Sequence, residues 1–289
     1  MNIIDDLKLQ YKMGGMVTKL IFWNAALFVI PWLLFAILSL LGFNIDFIHY
    51  VSLSSNPAHL LWKPWSLLSY AFFHIGIMHV IFNMIVLNFS GRLFMTYFTS
   101  KQLLGLYVLS AIFAGISYIL VFYVLNINAP IVGASAAIMA ILVATTTYHP
   151  LMDLRLLIIG NVKLWHITFV IIIIDLMQLR SENMGGHISH LSGAFFGFIF
   201  IKLLQNGIDL SKIVSHILDF FTNFFQKNAS TPFKKVHKNY RKPVEKSTSR
   251  IIAKDKSQQQ IDEILDKISQ SGYDSLTQEE KEFLFKAGK

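Results

Sequence analysis

Six apolar stretches long enough, or nearly long enough, to cross a bilayer dominate this chain; they lie near 20–42, 74–95, 103–125, 133–149, 162–179 and 187–205. In hydrocarbon every backbone N–H and C=O must be paired inside the protein, so segments of this kind form helices. The expectation is an all-α polytopic membrane protein built on six transmembrane helices. Composition agrees, since 15% of the residues are charged against roughly 25% in soluble domains. The first stretch is too long for the core of a signal peptide and lacks a small-residue cleavage site, so it reads as an uncleaved anchor. Cysteine is absent, which removes disulfides, thiol nucleophiles and Cys-based zinc sites from consideration.

Lysine and arginine set the expected orientation. Lys8, Lys12 and Lys19 precede the first stretch, Arg92 and Lys101 lie in the second connection, and Arg155 and Lys163 lie in the fourth. The first, third and fifth connections carry only Lys63, nothing basic, and Arg180. Both termini are therefore expected on the cytoplasmic side of the cell membrane. The net charge of +8 then points to anionic lipid rather than nucleic acid. Four segments follow: a cytoplasmic N-terminus (1–19), a six-helix core (20–208), a basic juxtamembrane linker (209–257) and a small helical hairpin tail (258–289). The long first connection holds Trp62 and Trp65 and reads as an interfacial segment. In the tail, Ile261, Ile264, Leu265 and Ile268 share helical spacing, Gly272 breaks the pattern, and Ser275 is the expected N-cap of a second helix. The tail's partner is not legible.

Polar groups inside the stretches are expensive and are functional candidates by default. His79 and Asn83 are four apart and share a helix face, with His74 nearer the mouth. In "GGHISHLSGAFFGFIF", His190, Gly193 and Gly197 form one stripe, and its glycines let a partner helix approach closely. The segment "PIVGASAAIMA", with Ser135 among alanines, suits that partner. Close approach is what a serine–imidazole hydrogen bond of about 2.6–3.2 Å requires. Ser135 would be the nucleophile and His190 the general base. A free N–H at the helix start, with His79 and Asn83, would stabilise the oxyanion. Ser135 would lie roughly 8 Å below the outer surface, given about 22 Å of helix to Pro150 at 1.5 Å per residue.

The bland readings are packing for the serine and metal or proton binding for the histidines. No carboxylate or third well-spaced histidine joins His74, His79 and Asn83, so no metal or other cofactor is expected there. A transporter would carry charges along several stretches and internal repeats, and neither is present. His187 reads as a polar residue at the cavity mouth. Asp175, the one acid in a late stretch, is expected to make an interhelical hydrogen bond or a water contact; orienting a histidine is the less favoured use.

At these residues the chain resembles the rhomboid intramembrane serine proteases. The family's His-x4-His-x3-Asn pattern is met by His74, His79 and Asn83, its Gly-x-Ser by Gly133 and Ser135, and its His-x2-Gly-x3-Gly by His190, Gly193 and Gly197. The resemblance covers about 15–208. It implies a six-helix core, a Ser–His dyad without an acid, and cleavage of transmembrane protein substrates near their outer ends. His74, Gly133, Gly193 and Gly197 would support the site. The chain differs from the common pattern at Ala136 (usually Gly), Met139 (often aromatic) and Trp65-Ser66 (usually Trp-Arg). The rival expectation is a rhomboid-like protein that binds membrane clients without cutting them.

Overall fold

The computed structural model describes residues 2–156, 160–180, 183–225 and 248–287 and divides into two compact units, Met1–Lys227 and Asn228–Lys289. In the first, a polar helix α1 (Ile3–Met13) is followed by α2 (Met16–Leu40). The first connection then carries three short helices, α3 (Phe47–Val51), α4 (His59–Trp62) and α5 (Ser66–Ser69), and a strand β1 (Leu53–Ser54). Next come α6 (Ile77–Met95), α7 (Ser100–Val124), strand β2 (Pro130–Ile131) and α8 (Ser135–Tyr148). A hairpin of β3 (Asp153–Leu156) and β4 (Gly160–Lys163) leads to α9 (Leu164–Met177), α10 (Met184–Gln205) and α11 (Ser211–Phe225).

Among the described residues four helices, α2, α6, α7 and α10, are long and apolar enough to cross a membrane. The other two expected spans, α8 and α9, are apolar but 14 residues each, about 21 Å at 1.5 Å per residue. Both lose length at their starts. The fourth stretch gives up Gly133 and Ala134 to the turn between β2 and α8; β2 pairs antiparallel with β1 through Leu53–Ile131 and Ser54–Pro130. The fifth begins inside β4, which pairs with β3. The expected all-helical chain thus contains two small antiparallel ribbons.

α8 is the axis of the unit. Every residue from Ala136 to Thr145 is buried, with α6, α7 and α10 packed around it. Alanines along α8 keep these neighbours close, as lipid-embedded helices need when no hydrophobic effect separates protein from lipid tails. Three buried tyrosines on the surrounding segments satisfy their hydroxyls on backbone carbonyls and tie segments together. Tyr70 Oη donates to the Ala111 carbonyl at 2.7 Å, Tyr107 to Ala71 at 2.7 Å and Tyr118 to Ala129 at 2.6 Å. Asn24, buried in α2, donates to Tyr107 Oη at 3.2 Å, so the first long helix is tied to α7 by side-chain hydrogen bonding. Trp32 packs edge-on against Phe47, and Trp65 Nε1 donates to the Tyr50 carbonyl.

In the second unit, α12 (Thr248–Ser271) ends at Gly272, whose φ is +77°, and a 3-10 turn (Tyr273–Ser275) leads to α13 (Gln278–Ala287). α12 starts ten residues before the expected tail (258–289), and the cap of the helix after Gly272 is Thr277 rather than Ser275. Thr277 and Glu280 bond reciprocally, Thr277 N–H to the carboxylate at 2.8 Å and Glu280 N–H to Thr277 Oγ1 at 3.4 Å, whereas Ser275 Oγ turns back to the Gly272 carbonyl. Thr277 wins because an acidic residue stands three positions after it. Ile264 is buried and Leu265 is exposed. The expected basic linker (209–257) is corrected at both ends: 211–225 form α11, packed on α7, and 248–257 are the start of α12; 226–247 lie outside the described residues.

Candidate active site

The backbone before Ser135 is held by hydrogen bonds from three directions. Gly133 has a φ of +137°, which favours a residue without a Cβ, and a Cβ there would stand 2.9 Å from His79 Nε2. Its N–H donates to the Tyr70 carbonyl at 2.8 Å. Upstream, the Ala129 carbonyl accepts from Tyr118 Oη and from the Ser55 N–H, and the Ala129 N–H donates to Ser55 Oγ at 3.0 Å. Non-helical backbone at membrane depth is tolerated only when its polar groups are satisfied in this way. The result places Ser135 at the first position of α8, where the N–H has no intrahelical acceptor.

The glycine stripe of α10 lies against α8 as its spacing indicates. A Cβ on Gly193 would run into the Ala136 carbonyl, 2.8 Å from its carbon, and a Cβ on Gly197 would meet Ala140 in the same way, at 2.9 Å. His190, one turn before Gly193, is thereby brought to the N-terminal end of α8. His79 and Asn83 approach from α6. Ser135, His190, His79 and Asn83 line a single cavity of about 600 Å³, with Met139 and Asp175 also on its wall. The cavity extends between Phe82 and Val86 of α6 and Ile171 and Ile174 of α9. Asn83 Nδ2 is buried without a hydrogen-bond partner, a side-chain donor left unspent in a residue that lines the cavity.

Two expectations are corrected. Ser135 Oγ and the His190 ring share the cavity but form no hydrogen bond to each other among the described residues; such bonds are often long in an unliganded site and tighten with substrate. His187 is not at the cavity mouth but buried, because it has an acceptor inside the protein. Asp175 Oδ1 accepts from His187 Nδ1 at 2.7 Å and from His190 Nδ1 at 2.9 Å. The interhelical hydrogen bond expected of Asp175 exists, and its partners are the two histidines. The signal was present in the sequence: three-residue spacing puts both imidazoles on one face, and an acid within an apolar stretch is expensive unless paired, so it called for a partner.

His74 does not line the cavity. It precedes α6, separated from it by Gly76 with φ +86°, and packs its ring against His79 at 5.1 Å between centroids. Both of its ring nitrogens are buried without partners. Asp175, His187 and His190 offer ligand atoms within 4.8 Å of one another. Nitrogen and oxygen sharing a tetrahedral zinc would stand about 3.3 Å apart; the observed 2.7 and 2.9 Å are N–H···O hydrogen-bond distances.

Residues 61–206 match the Rhomboid domain. The chain belongs to the rhomboid family. Rhomboids are generally serine intramembrane proteases that act on transmembrane substrates, and with its four spanning-length helices this rhomboid is a multi-pass membrane protein. Residues 252–286, which cover most of α12 and of α13, match a family of unknown function (DUF6576). No curated protein matches the chain.

Proposed function

We propose that this rhomboid is a serine endopeptidase of the cell membrane that cleaves transmembrane segments of other proteins near their outer ends. The observation that carries the reading is the convergence of Ser135, His190, His79 and Asn83, from three helices, on one cavity. In this reading α8 and α9 join the four longer helices as the fourth and fifth of six crossings, with both termini cytoplasmic as the basic residues suggest. Residues 20–208 form the protease core, α11 packs against α7 beside it, and 258–289 belong to a docking hairpin. If the Tyr148 end of α8 meets the cytoplasmic interface, its length of about 21 Å leaves Ser135 some 9 Å below the outer edge of a hydrocarbon core of about 30 Å. A cavity at that depth admits the water that hydrolysis consumes.

The chemistry follows from the four side chains. Ser135 Oγ bonds to the scissile carbonyl carbon while its proton passes to His190 Nε2 and the C=O electron pair moves onto oxygen. The Ser135 N–H, at the positive end of α8, and the Asn83 and His79 side chains donate to that oxyanion. Collapse of the intermediate breaks the C–N bond, and His190 returns the proton to the departing amine. A water, deprotonated by His190, then attacks the acyl-enzyme, and the proton goes back to Ser135 Oγ as the carboxyl product leaves.

A fluorophosphonate probe on the detergent-solubilised protein tests this. Labelling at Ser135 that disappears in Ser135→Ala, together with loss of cleavage of a reconstituted transmembrane substrate, is the expected outcome. A folded protein that binds such substrates but neither labels nor cleaves is instead a non-cutting client-binding rhomboid.

A further inference from the structure

Asp175 is the one acid in α9, and its side chain is only 5% exposed. Two polar ties join α9 to the neighbouring helices. At its start, Thr168 Oγ1 meets Thr146 Oγ1 of α8 at 2.6 Å. At its end, Asp175 Oδ1 holds His187 and His190 of α10. Between them Val170, Ile173 and Ile174 present an exposed apolar surface.

Resting on the protease reading above, we infer that Asp175 is a positioning residue for His190. It turns the Ser135–His190 pair into a serine–histidine–aspartate arrangement, with His187 as a second anchor for the carboxylate. An ionised carboxylate only accepts hydrogen bonds, so both imidazoles carry their proton on Nδ1 and leave Nε2 as a lone pair. For His190 that is the tautomer a base needs. When Nε2 takes the Ser135 proton, the imidazolium that forms is balanced by Asp175, which stays ionised while the second proton remains on Nδ1. The dipole of its own helix disfavours a carboxylate in the last turn of α9, so the ionised acid depends on the two imidazole N–H groups it accepts. His187, bonded to the same oxygen, keeps the carboxylate from swinging into the cavity. Because the acid rides on α9 and the base on α10, outward movement of α9 releases both imidazoles together. The base is oriented only when α9 is seated.

The test compares Asp175→Asn, Asp175→Glu and His187→Ala in the full chain, with turnover of a reconstituted transmembrane substrate, KM and thermal stability measured for each. An asparagine oxygen can still accept both N–H groups but carries no charge, so a merely structural tie predicts that Asn serves better than the longer Glu. The positioning role predicts the reverse ranking. Asp175→Asn should lower kcat by between about 10²- and 10⁴-fold, as loss of a triad acid does in soluble proteases, with KM changed less than about threefold. Asp175→Glu should stay within about tenfold of the native kcat. His187→Ala should lose about three- to tenfold through a looser carboxylate. Native-like kcat in a folded Asp175→Asn overturns the inference. So does a His187→Ala protein as inactive as Ser135→Ala alongside an active His190→Ala, which would make His187 the base. If Asp175→Asn does not fold, Asp175→Glu decides, since loss of all its turnover in a folded protein also overturns the inference. If the native protein itself neither labels nor cleaves, the protease reading fails rather than the role of Asp175.

Discussion

Gly193→Ala should damage catalysis far more than one methyl group suggests. The added carbon would collide with the Ala136 carbonyl and lie 2.8 Å from its carbon. An ordinary carbon–carbon contact is about 3.5 Å, so α10 must withdraw from α8 by roughly 0.7 Å, and somewhat more to clear the oxygen. The obstacle is helix backbone at the start of α8, which has no rotamer by which to yield. Overpacking of this kind costs about 1–3 kcal/mol. The catalytic cost is larger because His190 sits one turn before the glycine and moves with it, while Ser135 is the neighbour of the residue being pushed. A displacement near 1 Å at reacting groups can lower the rate about 10²-fold. The assay is kcat/KM on a reconstituted transmembrane substrate, with the rate of fluorophosphonate labelling at Ser135 read in parallel. Both should fall by about two orders of magnitude while the protein remains folded with a slightly lower Tm. Gly15→Ala is the control, since a Cβ there meets nothing within 4 Å. Activity within about threefold of native in Gly193→Ala would refute the claim that this contact sets the serine–imidazole geometry.

Two further outcomes follow from the cavity. Asn83→Ala, and less steeply His79→Ala, should lower turnover without weakening substrate association, by up to about 10²–10³-fold, because each removes a donor from the oxyanion; an unchanged kcat in the double variant would take both out of the mechanism. The opening between α6 and α9 should admit transmembrane helices from the side. Phe82→Cys with Ile174→Cys, joined by a bis-maleimide in this cysteine-free chain, should therefore block large transmembrane substrates more than small soluble peptides. Equal inhibition of both would argue against lateral entry.

The exposed face of α9 fits such a gate. Its outer residues Phe169, Val170, Ile173 and Met177 are apolar and exposed, so moving it within lipid breaks few polar contacts beyond the Thr146–Thr168 and Asp175 ties. Such a motion would fall on the microsecond-to-millisecond scale of other catalytic lids. It would make substrate entry and imidazole orientation exclusive of each other at any instant.

Much of this protein was settled by local pattern. Apolar runs bounded by basic residues dictate helices in lipid, since no other structure satisfies an isolated backbone there. The stripe of His190, Gly193 and Gly197 specifies its own contact, because helical spacing puts a side-chain-free groove beneath an imidazole. Gly133 before Ser135 likewise announces a turn, and Gly272 the break in the tail. Other features depended on partners distant in the chain. The fourth helix starts only after the turn at Gly133 that leaves the Pro130–Ile131 pairing with Leu53–Ser54, and the fifth only after Gly160–Lys163 has paired with Asp153–Leu156; strand pairing of that kind leaves no periodic trace in segments so brief. Asp175 and its two histidines are separated by a connection and belong to different helices; spacing shows that His187 and His190 share a face, but only the packing of α9 on α10 decides which acid that face meets.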